Sequence, residues 1–175
     1  MATRRYLTGY PFVAGGRSVL AVLLCDSGEL VRAEEHARQA LAMSQESGDR
    51  QTEVNALNAL GKVTRARGDH REAVARHEQA VALALEIGER GAQAEGQVGL
   101  ALALITRHDG EQALLMARRA LTTTKEFGYR LVECQALEAL ATVHLDHGEP
   151  LQARQFIEAA LVIRDQTGYA AGPAC

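Results

Sequence analysis

The chain has no tryptophan, four tyrosines and three phenylalanines in 175 residues, and its β-branched residues are sparse apart from scattered valine. What remains is rich in Ala, Leu, Glu, Arg and Gln, which are good helix formers. Only three prolines occur, Pro11, Pro150 and Pro173, and none falls in the middle of a helical pattern. The class is all-α. The three cysteines, Cys25, Cys134 and Cys175, lack short-range pairing and C-x-x-C spacing. This excludes a disulfide framework and a cysteine zinc site, and it predicts a reducing, cytoplasmic setting. The net charge of −3 is spread over the chain in both signs. With no basic stripe, direct nucleic-acid contact is not expected. No apolar run approaches the ~20 residues that span a bilayer. There is also no nucleophile elbow, no phosphate-cradling glycine loop, and no Ser or Cys with a recognisable partner His. No enzyme and no cofactor are expected.

One segment imitates an export signal, with Arg4-Arg5 followed by apolar residues and VLAVLLC. Arg17 interrupts the apolar run, and Leu24 stands before Cys25 where a lipoprotein cleavage site needs a small residue. Val19 to Asp26 also fits a pattern that runs through the whole chain.

That pattern is an internal repeat of 40 residues. Blocks open at Pro11, Gln51, Gly91 and Leu131 and align without a gap. One column reads Leu20, Leu60, Leu100, Leu140, and the next Ala21, Gly61, Ala101, Ala141. Further columns read Ala33, Ala73, Ala113, Ala153 and Ala40, Ala80, Ala120, Ala160. Each block closes on Gly48, Gly88, Gly128 or Gly168. The spacing predicts two helices per block, of about 16 and 18 residues. Gly28, Gly68 and Gly148 supply the left-handed residue at the end of the first helix. Glu29, Asp69, Asp109 and Glu149 then suit the positive end of the second. Asp109 with Gln112 resembles a capping box, and Pro150 suits a first helical position. Block three carries His108 where the turn glycine is expected, so a different turn shape is predicted there. Gly15-Gly16 predicts a late start for the first helix. Leu57, Leu60 and Gly61 are expected to face Ala73, His77, Ala80 and Val81. One block cannot bury its face alone, so blocks must stack.

These residues resemble the tetratricopeptide repeat, in a variety with longer helices. The small-residue column at Ala21 to Ala141 and the two alanine columns match the family pattern. The family's early Trp is replaced by Arg17, Leu57, Gln97 and Leu137, its Tyr by Leu24, Thr64, Leu104 and His144, and its closing Pro is absent. The resemblance implies a right-handed superhelix, an α-solenoid, of four antiparallel helix-turn-helix repeats. They span 11–50, 51–90, 91–130 and 131–170, within one domain over 11–168. An arm over 1–10 and a tail over 171–175 flank it. Long-helix repeats of this kind resemble those of scaffolds that bind G-protein regulators, and sensor regions of large bacterial transcriptional activators.

The family uses its first helices to line a concave groove for extended peptides or partner helices. The register then implies a groove of Asn55, Asn58, Lys62 and Arg65 in block two. Block three adds Glu95, Val98, Leu102 and Ile105, and block four adds Gln135, Glu138, Thr142 and Leu145. Asn55 and Asn58 would meet a peptide backbone, and Lys62 and Arg65 an acidic stretch. His144 and His147, with Asp146 between them, lack the further converging ligands that a metal site needs. No metal is expected, and His144 and His77 read as packed, His36 and His70 as surface. The last helix carries Phe156, Ile157, Ala160, Leu161 and Ile163, which suggests an exposed apolar end centred on Phe156 and Ile163. That end would make a homodimer, continue into a longer protein, or stay exposed. The functional expectation is a non-catalytic module that binds a peptide or helix of a partner protein. The alternatives are a regulatory, oligomerising or ligand-sensing part of a larger bacterial transcriptional regulator.

Overall fold

A computed structural model describes residues 10–168. The arm expected over 1–10 and the tail over 171–175 lie outside the described residues, save Tyr10. Cys175 lies outside them too. Within 10–168 the chain forms eight α-helices and no strand. They are α1 (Tyr10–Asp26), α2 (Leu30–Ser47), α3 (Arg50–Ala66), α4 (His70–Ile87), α5 (Arg90–Ile105), α6 (Gly110–Phe127), α7 (Arg130–Asp146) and α8 (Pro150–Thr167). First helices open at 10, 50, 90 and 130, and second helices at 30, 70, 110 and 150. The 40-residue period of the sequence is therefore the period of the backbone. Each helix packs antiparallel on the next, giving four helical hairpins in an α-solenoid. No described helix is long and apolar enough to cross a membrane.

The start of α1 corrects the expectation drawn from Gly15-Gly16, because the helix opens at Tyr10 and runs through both glycines. Each glycine in a helix interior costs about 1 kcal/mol against alanine. Burial outweighs that cost. Ala14, Ser18, Ala21 and Cys25 form one fully covered stripe against α2 and α3. The Ser18 hydroxyl donates to the Ala14 carbonyl, 3.3 Å away.

The turn between α5 and α6 is a second correction. His108 adopts a left-handed φ of 60°, close to the 84° of Gly68. The Asp109 N–H donates to the Leu104 carbonyl at 3.1 Å, as Asp69 does to Thr64 at 2.9 Å. The turn keeps its shape, and the strain of a left-handed L-residue is carried by His108. Gly110 serves a different purpose: a Cβ there would lie 2.0 Å from Nε2 of His147 on the following hairpin. The capping box is not formed either. Asp49 and Asp69 accept from the N–H of Thr52 and Glu72, but Asp109 makes no side-chain cap.

The core is a row of alanines and medium-sized aliphatics between successive helices. Ala37, Ala40, Val54, Leu57 and Leu60 fill it near the start, and Ala117, Ala120, Ala136 and Leu140 nearer the end. At the seam between the second and third hairpins the large residue is His77. Its ring lies between α3 and α5, where a Cβ on Gly61 would approach to 2.7 Å and one on Gly99 to 2.2 Å. The first and third hairpins place alanine in the His77 column, at Ala37 and Ala117, and in the Gly61 column, at Ala21 and Ala101. One large ring here is offset by two missing methyl groups.

The ends of the stack are unequal. At the α8 end, Ile163 is buried at 5 % exposure. Phe156 is half-buried and stacks on His144, with centroids 5.2 Å apart and planes at 18°. The exposed apolar surface predicted on these two residues is thus turned inward, because both fill the gap between α8 and α7. The apolar residues of α8 that do reach solvent are Leu151, Ile157, Leu161 and Val162. At the other end, α1 exposes Phe12 (91 %), Val19 and Leu23. The matching positions one repeat later, Thr52, Ala59 and Val63, are buried because a preceding hairpin covers them.

Candidate partner-binding groove

The contacts between helices define two layers. Among the first helices, α1 touches α3, α3 touches α5, and α5 touches α7, whereas no described second helix touches another second helix. The layer whose neighbours meet follows the shorter arc. The first helices therefore line the inner, concave side of the solenoid, and the second helices splay on the outside.

On that inner side the structure brings together Asn55 on α3, Glu95 on α5 and Gln135 on α7, which stand 40 residues apart. Asn55 and Glu95 are exposed and Gln135 is half-exposed. The Glu95 carboxyl is open to solvent, yet the protein around it removes hydration and raises its pKa. Both hold at the floor of a concavity, where water reaches the group but protein replaces part of its shell. Among the described residues Glu95 forms no ion pair. Lys62 also points to this side, but its Nζ is 2.6 Å from Asp26 Oδ1 of α1. Leu102 and Ile105 are half-buried against the core, and Thr142 and Leu145 are exposed.

Four of the residues expected in the groove, Asn58, Arg65, Val98 and Glu138, sit elsewhere. Asn58 is only 8 % exposed. Its Nδ2 donates to the Ala92 carbonyl of α5 at 3.0 Å, and its Oδ1 lies 3.4 Å from Nδ1 of His77. Val98, in the same column, is buried, and Glu138 pairs with Arg164 of α8. The helical wheel gives the reason. Successive residues turn by about 100° at 3.6 residues per turn, so position 58 lies about 60° from position 55. That rotation carries the column 58, 98, 138 from the concave wall to the seam with the next hairpin. Glu138 keeps partial exposure because no described helix follows on its side. Arg65 is rotated similarly; it is half-buried, and its charge acts on His77. Burial first, then this neighbouring cation, pushes the His77 pKa down to about 3. The ring is neutral at ordinary pH, with its Nε2 buried and unbonded. Of the two histidines read as surface residues, His36 is half-buried with Nδ1 3.0 Å from Arg17 Nη1, and His70 is half-buried.

An aromatic group at the edge of this face was missed by the register argument. Tyr129 caps α7, is partly exposed, and lies over Gly91 of α5, 3.6 Å from where its Cβ would be. Phe127 stacks on Tyr129 with centroids 6.0 Å apart. The available signal was the cap column itself, where Asp49 and Glu89 give way to Tyr129. The groove holds no cluster suited to a metal ion among the described residues.

Residues 14–86 match the family described as Tetratricopeptide repeat. Among solved structures, BtubC (BKLC) from P. vanneervenii superposes with a TM-score of 0.69 at 21 % identity, covering 93 % of this chain and 67 % of that one. A crystal structure of nearly identical TPR-like repeats from Podosopora anserina gives 0.64 at 18 %, covering 90 % and 77 %. At these identities the likeness is one of fold. No curated protein matches the chain.

Proposed function

We infer that this chain, a tetratricopeptide-repeat protein, is a non-catalytic module whose concave face holds a peptide or helix of a partner protein. Repeats of this family generally mediate protein–protein contacts. The observation that carries the reading is the row Asn55, Glu95, Gln135 along the inner layer, with Glu95 accessible and in no ion pair among the described residues. Two amides flank one carboxylate. Amides can both donate to and accept from a peptide backbone, and the carboxylate selects a cation. Lys62 is already neutralised by Asp26, so the complementary partner is a segment carrying Lys or Arg, not an acidic one. Tyr129 with Phe127 would anchor an apolar side chain beside it, as exposed aromatics commonly do at interfaces.

The test is selection of random twelve-residue peptides on the immobilised chain, followed by titration of the enriched sequences. Peptides enriched in Lys or Arg, weakened at least tenfold by Asn55→Ala/Glu95→Lys, support the reading. Enrichment of acidic peptides, or affinities that ignore the double variant, would refute it.

A second reading has one observation in its favour. The exposed Phe12, Val19 and Leu23 on α1 form an apolar end of the stack, suited to an oligomerising or regulatory part of a larger bacterial transcriptional regulator. Light-scattering mass separates the two. A dimer that Val19→Glu/Leu23→Glu converts to monomer favours this end, whereas a monomer at all concentrations removes it.

A further inference from the structure

On the outer side, α4 and α6 stand apart with α5 as the floor between them, and the gap is a cleft of about 460 Å³. That is within the size range of small-molecule pockets. Its floor contains Gln97, only 4 % exposed, whose Oε1 is buried without a hydrogen-bond partner. The column of Gln97 reads Leu57 in the second hairpin and Leu137 in the fourth, both buried. An amide that stands where those hairpins have a core leucine, and finds no protein partner, leaves hydrogen-bonding capacity unused, which burial makes costly.

The wall contributed by α6 departs from its neighbours in the same place. Arg118, Arg119, Thr122 and Thr123 line the cleft. The matching positions are Glu78, Gln79, Ala82 and Leu83 on α4, and Glu158, Ala159, Val162 and Ile163 on α8. On α2 the first of these columns holds Arg38, but Glu34 pairs with it at 2.6 Å. The third hairpin has Leu114 where Glu34 stands, and no described acid pairs with Arg118 or Arg119. Guanidinium groups bind carboxylate and phosphate oxygens with matched geometry. The opposite wall is apolar, with Val81 and Leu85 of α4, and Met116 completes it from α6. Met is suited to irregular apolar ligands. One cleft thus gathers two cations without described acidic partners, two hydroxyls, of which that of Thr122 donates to the Arg118 carbonyl, and two buried amides, of which Gln93 accepts from Arg90 and Gln97 is left without a partner.

We propose that this cleft is a second binding site, separate from the concave face, for a small organic anion with an apolar body and an amide near the charge. The anion lies on Arg118 and Arg119, the amide pairs with Gln97, and the apolar body lies along Val81, Leu85 and Met116. Carboxylates and phosphates share this chemistry, so two probes are used. N-octanoyl-L-leucine carries the first anion and N-octanoyl-O-phosphoethanolamine the second. Each is titrated calorimetrically into the whole chain below its micelle concentration. Saturable one-to-one binding of at least one probe is expected. It should weaken at least tenfold in Arg118→Gln/Arg119→Gln and in Gln97→Leu. The latter restores the residue of the second and fourth hairpins and should melt no lower than the wild type, so its loss of binding is not loss of fold. Absence of saturable binding by both probes would overturn the proposal. So would binding that Gln97→Leu leaves unchanged, which would mark Gln97 as an ill-suited core residue only.

Discussion

The buried ring of His77 makes the packing sensitive to single residues. With Cβ positions on Gly61 and Gly99 within 2.7 and 2.2 Å of that ring, Gly99→Ala should destabilise the chain by about 1–3 kcal/mol through overpacking. In a His77→Ala background the sign should reverse. The ring is gone, and alanine gains about 1 kcal/mol over glycine in a helix. Denaturant titration of the double-mutant cycle checks this, and equal effects in both backgrounds would refute the packing account. The same ring gives a pH dependence. Its pKa is lowered from 6.5 to about 3 by burial, then by Arg65. The unfolded chain therefore takes up a proton first, and stability present above pH 6.5 is lost as pH falls towards 3. Replacing His77 with alanine should flatten that limb of a plot of unfolding free energy against pH. Glu95 acts in the opposite direction. Its raised pKa means that the ionised form opposes folding at neutral pH. Glu95→Gln should therefore raise the melting temperature at neutral pH, with the gain disappearing in acid. The pairing of His77 with Gly61 was legible in the sequence, because the register of the two helices of the second block sets them face to face. The role of Gly99 was not, since it comes from the next hairpin across a seam whose geometry depends on how the hairpins twist.

At the scale of helices, the repeat made nearly every element readable. A gapless period set the number of helices, and the left-handed glycines set their ends. The misreadings came from local rules that packing overrode. Gly15-Gly16 did not delay α1, because Ala14 and Ser18 are buried on the same face. His108 did not alter its turn, because the hydrogen bond from Asp109 to Leu104 holds the shape and forces φ to 60°. His108→Gly should therefore stabilise the chain by about 1 kcal/mol, the cost of a left-handed L-residue less glycine's extra unfolded entropy. Thermal unfolding monitored by circular dichroism is the check, and a lower melting temperature would contradict the strain. The groove residues were half legible for a related reason. A stripe at i, i+3, i+7, i+10 spans about 80° of a helix at 3.6 residues per turn. Only the packed stack decides which edge of that stripe meets solvent, so Asn55 stayed in the groove and Asn58 became a strut between α3 and α5.

Across the whole molecule, two layers of helices divide the surface by chemistry. The inner layer presents amides, the Glu95 carboxylate and an aromatic pair at its edge, and the outer layer carries an apolar-walled cleft with cations. Neither contains a reactive constellation among the described residues, and both suit recognition by a rigid, preformed surface, which limits the ordering cost of binding. The partner is proposed to lie on the inner layer. Its most direct test places a photo-reactive benzoylphenylalanine at Asn55 in one variant and at the exposed outer residue Glu78 in another. Both are irradiated in the presence of an enriched basic peptide. A crosslink from position 55 that free lysine-rich peptide competes away is expected, and none from position 78. A crosslink from position 78 alone would refute the inner-layer site and move the working surface to the outer helices.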